Sequence, residues 1–188
     1  MKTEKQKMLA GELYDAMDAE LSAERTRARL LMRQFNEAPD GQREERLRLL
    51  ARLIPSSGTN VWIEPPFFCD YGVHITLGDD VFFNFNCVIL DVAPVRIGSR
   101  VMFGPAVQVY AATHPLGAKA RRTGLELGRE VEIGDDVWVG GGAIICPGVR
   151  IGAGSVIGAG SVVTTAIPGG VLAAGNPCRV LREIDEAG

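Results

Sequence analysis

From residue 133 onward, apolar side chains return every six positions, at Ile133, Val139, Ile145, Ile151, Ile157 and Val163. The positions four further on hold small or branched residues: Val137, Ala143, Val149, Ser155, Ser161 and Ile167. Leu77, Phe83, Ile89 and Val95 keep the same step, and a two-residue slip restarts it at Ile97, Phe103 and Val109. A period of six fits neither the alternation of a half-buried strand nor the 3.6 of a helix. It predicts a parallel β-helix in which three hexapeptides make one triangular coil. A short strand lies along each side, a turn marks each corner, and the apolar first position points inward. Many of the 23 glycines follow that apolar residue, as in "IGDDVW" and "IGAGSV", where corners need unusual backbone angles or close approach.

The first 54 residues follow another rule. They carry 21 of the 43 charged side chains, nearly balanced in sign, among leucine, alanine and arginine, which is a helical composition. The pattern predicts helices over 4–16 and 20–36, and a third that begins after an Asp40 N-cap and carries Leu47, Leu50 and Leu53 up to Pro55. The expected organisation is a helical segment, 1–54, followed by a β-helix domain with a C-terminal tail, 55–188.

The beat stops over 111–130, where "YAATHPLG" holds His114, one of only two histidines. A scaffold has no need to eject a loop carrying Thr, His, Pro, two adjacent arginines and Glu126. A net charge of −3 and a pI near 5.5 argue against a nucleic-acid binder, which normally presents a basic face to phosphates. No run of about 18 apolar residues suggests a membrane span, and the first twenty residues are too polar for a signal peptide, so a cytoplasmic protein is expected. Cys69, Cys87, Cys146 and Cys178 are far apart, without metal-ligand spacing, and read as small core residues. Two histidines are too few for a three-histidine zinc site, so no metal is expected. No serine or cysteine near His114 suggests a nucleophile, which leaves general-base chemistry, with the imidazole taking a proton from an alcohol that attacks an acyl donor. His74, between Val73 and Ile75, reads as a structural or surface histidine.

Several stretches then match a known family in order and spacing: "KMLAGELYDAMDAEL", "ERTRARLLMRQFN", "FFNFNCVILDVAPVRIG", "ATHPLG", "VWVGGGAIICPGVRIGAGSVIGAGSVV" and "AAGNPCRVLREI". Over nearly its whole length the chain resembles the maltose and galactoside O-acetyltransferases of the hexapeptide-repeat acyltransferases, most closely the maltose branch. The resemblance implies a left-handed coil, a homotrimer with active sites between subunits, and acetyl-CoA as donor in a cleft between neighbouring coils. It implies His114 as general base and Asn84 near the thioester and acceptor, with a stacked asparagine ladder as the alternative for Asn84 and the better reading of Asn86. Glu126 is a candidate to orient the imidazole through its other nitrogen. By resemblance Gly141, Ala159, Thr164 and Thr165 line the pantetheine groove, and Arg179 and Arg182 meet the nucleotide phosphates, to which a guanidinium donates two hydrogen bonds at once. Trp138 is either a cleft wall or an edge-packing residue.

Asp15, Arg25 and Asp91 match or neighbour sugar-contacting positions, with a solvated helix face as the alternative for the first two. Phe82 stands where many members have tyrosine, Val92 where galactoside enzymes often have a second acid, and Gly141 where a hydroxyl is common. These departures bear on the acceptor. The expected reaction is direct transfer of acetyl to a hydroxyl of a sugar such as maltose or glucose. The alternatives are an amine or antibiotic acceptor, or a non-catalytic binding protein.

Overall fold

The computed structural model describes residues 1–185, and the last three positions of the expected 55–188 region lie outside the described residues. From Ser56 onward the chain winds as a left-handed parallel β-solenoid of three faces. The first face stacks Ser56–Ser57, Ile75–Leu77, Val95–Ile97, Val131–Ile133 and Arg150–Ile151. The second stacks Trp62–Ile63, Phe82–Phe83, Met102–Phe103, Trp138–Val139, Val156–Ile157 and Val171–Ala174, with Arg179–Glu183 folding back antiparallel on the last. The third stacks Phe67–Cys69, Cys87–Leu90, Gln108–Tyr110, Ile144–Ile145 and Val162–Val163.

The six-residue beat becomes columns of inward side chains in register. Leu77, Ile97, Ile133 and Ile151 stack on the first face, and Phe83, Phe103, Val139 and Ile157 on the second. Phe83 and Phe103 lie parallel with ring centroids 4.2 Å apart. The corners need two different things. Directly after the inward residue the backbones nearly touch: a Cβ on Gly134 would stand 2.7 Å from the Ala153 nitrogen. Two residues later the chain turns through positive φ, as at Asp136 (58°) and Gly154 (68°).

Helix α1 (Glu4–Leu9) starts at a Thr3–Gln6 capping box. Helix α2 (Ala19–Glu37) is capped by Asp18, whose carboxylate accepts from the Glu20 and Leu21 N–H groups. Its buried Ala28, Leu31, Met32 and Phe35 pack on α3 (Arg43–Leu53) and on the first coil turns, so the helices close the coil's open end over one continuous core, while Leu21 joins a small second core.

Two expected helix boundaries are corrected. α1 ends at Leu9, not residue 16, because Gly11 turns at φ 69° and Tyr14 pairs as a β-bridge with Glu126. α3 begins at Arg43 behind Gln42. Asp40 lies too early to cap it and pairs with Arg46 at 2.6 Å instead. Over residues 111–130 the chain leaves the coil as a hairpin of Ala112–Thr113 and Leu127–Gly128 with a one-turn helix, α4 (Ala118–Arg121), at its tip.

The four cysteines are free, three buried and Cys146 half-buried. Among the described residues no helix is long and apolar enough to cross a membrane.

Candidate active site

Before the final turn-back at Ala174, the beat is irregular along the edge between the third and first faces. There the steps Cys69–Ile75–Leu77 and Ile89–Val95–Ile97 each carry two extra residues, and the third turn carries the whole excursion. The widened corners 70–74 and 90–94 and the excursion stack on one another and face the segment joining α1 to α2. Between them is a cavity of about 660 Å³ lined by, among others, Tyr14, Arg25, Arg29, Asp70, Tyr71, Val92, His114 and Glu126. His114 is exposed there, and among the described residues its imidazole makes no hydrogen bond.

Arg25 forms part of the wall, donating to the Tyr71 hydroxyl (2.8 Å), to Ser22 Oγ (3.2 Å) and to the Ala16 carbonyl. Glu126 accepts from the Tyr14 hydroxyl at 3.2 Å and makes no hydrogen bond to His114, so the expected orienting contact is absent within one subunit. Burial and the Glu126 charge hold the Tyr14 phenol far above its usual range, so it remains a neutral donor.

Asp91, expected to match or neighbour a sugar-contacting position, does not line this cavity. It is fully buried, and its carboxylate accepts from the backbone N–H groups of Asp70 (3.0 Å), Tyr71 (2.9 Å) and His74 (3.3 Å). Burial pushes its pKa up, while these donors and His74 hold it back. The His74 ring nitrogen Nδ1 lies 2.8 Å from the Asp91 carbonyl oxygen, which makes this histidine structural. Beside Glu126, a second carboxylate lines the cavity, Asp70, which nothing in the sequence pattern singled out. Burial first, then the Asp91 charge behind it, raises its pKa from 3.8 to about 6. The repeated slip at Ile75 and Leu77 was the signal that marked its corner. Asp15 is exposed and turned away, its carboxylate accepting from the Met17 N–H at 2.8 Å.

The remaining candidates lie elsewhere. Asn84, Gly104, Gly140, Gly158 and Ala174 form one column along the edge between the second and third faces, with Gly141 and Ala159 beside it. Five rungs at strand spacing span roughly 19 Å. Ala174 then pairs with Arg179 and Leu172 with Arg182, so both exposed arginines stand at the far end of this edge. The Asn84 carboxamide accepts from the Phe85 N–H (2.8 Å). Asn86 is an exposed corner residue at φ 61°, not a ladder inside the coil. Phe82 and Trp138 project outward on the second face, Trp138 half exposed. Thr164 and Thr165 are exposed on the His114 edge, two rungs below the excursion. One subunit therefore brings Arg25, His114 and Glu126 together and sets Asn84, Gly141 and Ala159 on a different edge.

Comparison with known proteins identifies the family of this fold. Residues 7–58 match the maltose acetyltransferase hexapeptide capping motif, and residues 130–165 match the bacterial transferase hexapeptide of six repeats. Nodulation protein L of Rhizobium meliloti is 48% identical, over 95% of this chain and 98% of its own. The structure superposes on a maltose O-acetyltransferase from Clostridium difficile with TM-score 0.97 at 47% identity, covering 98% and 99% of the two chains. A galactoside acetyltransferase in complex with coenzyme A gives 0.96 at 38% identity, covering 100% and 94%. With its capping helices, its hexapeptide coil and an excursion that presents a histidine, the chain belongs to the maltose and galactoside O-acetyltransferase family of hexapeptide-repeat acyltransferases.

Proposed function

We propose that the protein transfers acetyl from acetyl-CoA to a hydroxyl of a sugar, by direct attack in a ternary complex at a site shared between subunits of a homotrimer. The observation that carries this reading is the placement of two half-sites on either side of the third face. One is the His114 cavity and the other the Asn84–Gly141–Ala159 edge. Outward residues of that face are largely apolar, with Phe68, Val88, Ile144 and Val162 part-exposed. The first face instead presents Arg96, Glu132 and Arg150 to water. Apolar third faces that pack around a threefold axis bring the Asn84 edge of one subunit to the His114 edge of the next.

In that arrangement the pantetheine follows the column of backbone and small side chains, along which Gly104, Gly158 and Ala174 are part-exposed. Arg179 and Arg182 receive the phosphates. The acceptor sugar enters the cavity, where Asp70 and Glu126 accept hydrogen bonds from its hydroxyls and Arg25 and Arg29 donate to its oxygens. His114 removes the proton from the attacking hydroxyl as the carbon–oxygen bond forms. The tetrahedral intermediate then collapses, expelling the CoA thiolate, which takes up a proton. In this reading the Asn84 amide donates to the thioester or its oxyanion. The apparatus uses no metal, and the compartment of the reaction is the cytoplasm.

The test is release of free thiol from acetyl-CoA with maltose, glucose, a galactoside and a simple amine as acceptors. Release that needs a sugar supports the proposal. Release with the amine alone replaces the acceptor class, and no release with any acceptor favours a binding role.

A further inference from the structure

Among the described residues, the hydrogen bonds that fasten the excursion carrying His114 to the rest of the molecule converge on one residue. Its two short strands pair with each other, and its tip closes on itself, with Arg121 donating to the Pro115 and Leu116 carbonyls and the Thr123 hydroxyl to that of Ala120. Among the described residues, the hydrogen bonds that leave 112–128 all go to Tyr14. Its N–H donates to the Glu126 carbonyl (3.0 Å), the Glu126 N–H donates to its carbonyl (3.1 Å), and its hydroxyl donates to Glu126 Oε2 (3.2 Å). Tyr14 is wholly buried in a small second core with Met8, Leu21, Tyr71 and Val92, against which Ala112 also packs, two residues before His114. Gly11 adds a close approach, since a Cβ there would lie 3.2 Å from the Gly128 carbonyl oxygen.

We propose that Tyr14 is a positioning residue for the transfer reaction: the turn between α1 and α2 clamps the excursion at Glu126 and so holds His114 at the cavity. The helical segment thus does more than close the end of the coil. The hydroxyl contact is the separable part of the clamp, because phenylalanine keeps the buried ring and both backbone bonds while releasing the carboxylate. The catalytic half of this inference rests on the reading of His114 as the base.

The experiment compares wild type with Tyr14→Phe in two assays. Lys119, Arg121 and Arg122 are exposed at the excursion's tip, so limited trypsinolysis there reads how often the excursion opens. Loss of a hydrogen bond to a charged acceptor should speed this cleavage about tenfold. Turnover at saturating acetyl-CoA and sugar should fall several-fold. The KM for acetyl-CoA, set on the other edge, should stay the same, and so should the melting temperature within a few degrees. Glu126→Ala should open the excursion to the same extent, and the double variant no further. Unchanged cleavage in both single variants overturns the clamp. Faster cleavage with unchanged kcat overturns the positioning role, while the His114 reading is judged separately by whether His114→Ala still turns over.

Discussion

Replacing Asp70 with asparagine should stabilise the fold while weakening the proposed acceptor site. Burial and the neighbouring Asp91 raise the Asp70 pKa from 3.8 to about 6. A rise of that size corresponds to about 3 kcal/mol, and screening at a part-exposed carboxylate leaves about 1–2 kcal/mol. Because the folded value lies above the unfolded one, the native state binds more protons than the unfolded chain between about pH 4 and 6. The Asp70 contribution therefore worsens as pH rises through that window and levels off above it. Asparagine does not titrate. The melting temperature of Asp70→Asn minus that of wild type should be near zero at pH 4 and climb to about 2–8 °C by pH 7.5. Calorimetry at one fixed protein concentration holds the assembly contribution constant. In thiol-release kinetics the same variant should raise the acceptor KM about tenfold or more, the effect of losing a charged hydrogen-bond partner. A difference in melting temperature that does not change with pH, or a variant less stable at pH 7.5, refutes the argument.

His114→Ala should keep the wild-type melting profile, because the side chain is exposed and unbonded, and lose at least about 10²-fold in turnover by thiol release. Co-refolding equal amounts of His114→Ala and Asn84→Ala should recover about a quarter of wild-type activity, the random share of trimer sites that receive an intact residue from each subunit. Recovery of none would place both residues in one subunit's site. Gly134→Ala should lower stability by about 1–3 kcal/mol in chemical denaturation, since its Cβ would meet the Ala153 nitrogen at 2.7 Å and the coil must spread.

The coil was legible in the sequence because its rule is local and repeated. A branched residue every sixth position places Ile133, Val139 and Ile145 inside whatever else the chain does, and all three are at most 1% exposed. The break at 111–130 was legible as a departure from that rule. What the break meets was not, because Tyr14 and Glu126 are 112 positions apart and nothing in either local pattern announces their bridge. That pairing, with Gly11 turning at positive φ, also ended α1 seven residues before its composition suggested.

The acids show the same limit more sharply. Asp70 and Asp91 occupy equivalent corners one coil turn apart, and the family resemblance pointed only to the neighbourhood of the second. At a corner no period dictates where a side chain points. The tertiary structure decided it, because the buried N–H groups of Asp70, Tyr71 and His74 require an acceptor and the Asp91 carboxylate supplies one. Asp70 is left facing the cavity. The sequence by itself determined the coil, its inward columns and the edge where it is interrupted. Only the tertiary structure decided which carboxylate faces that cavity and what holds the histidine beside it, since both depend on contacts between distant segments that satisfy buried polar groups.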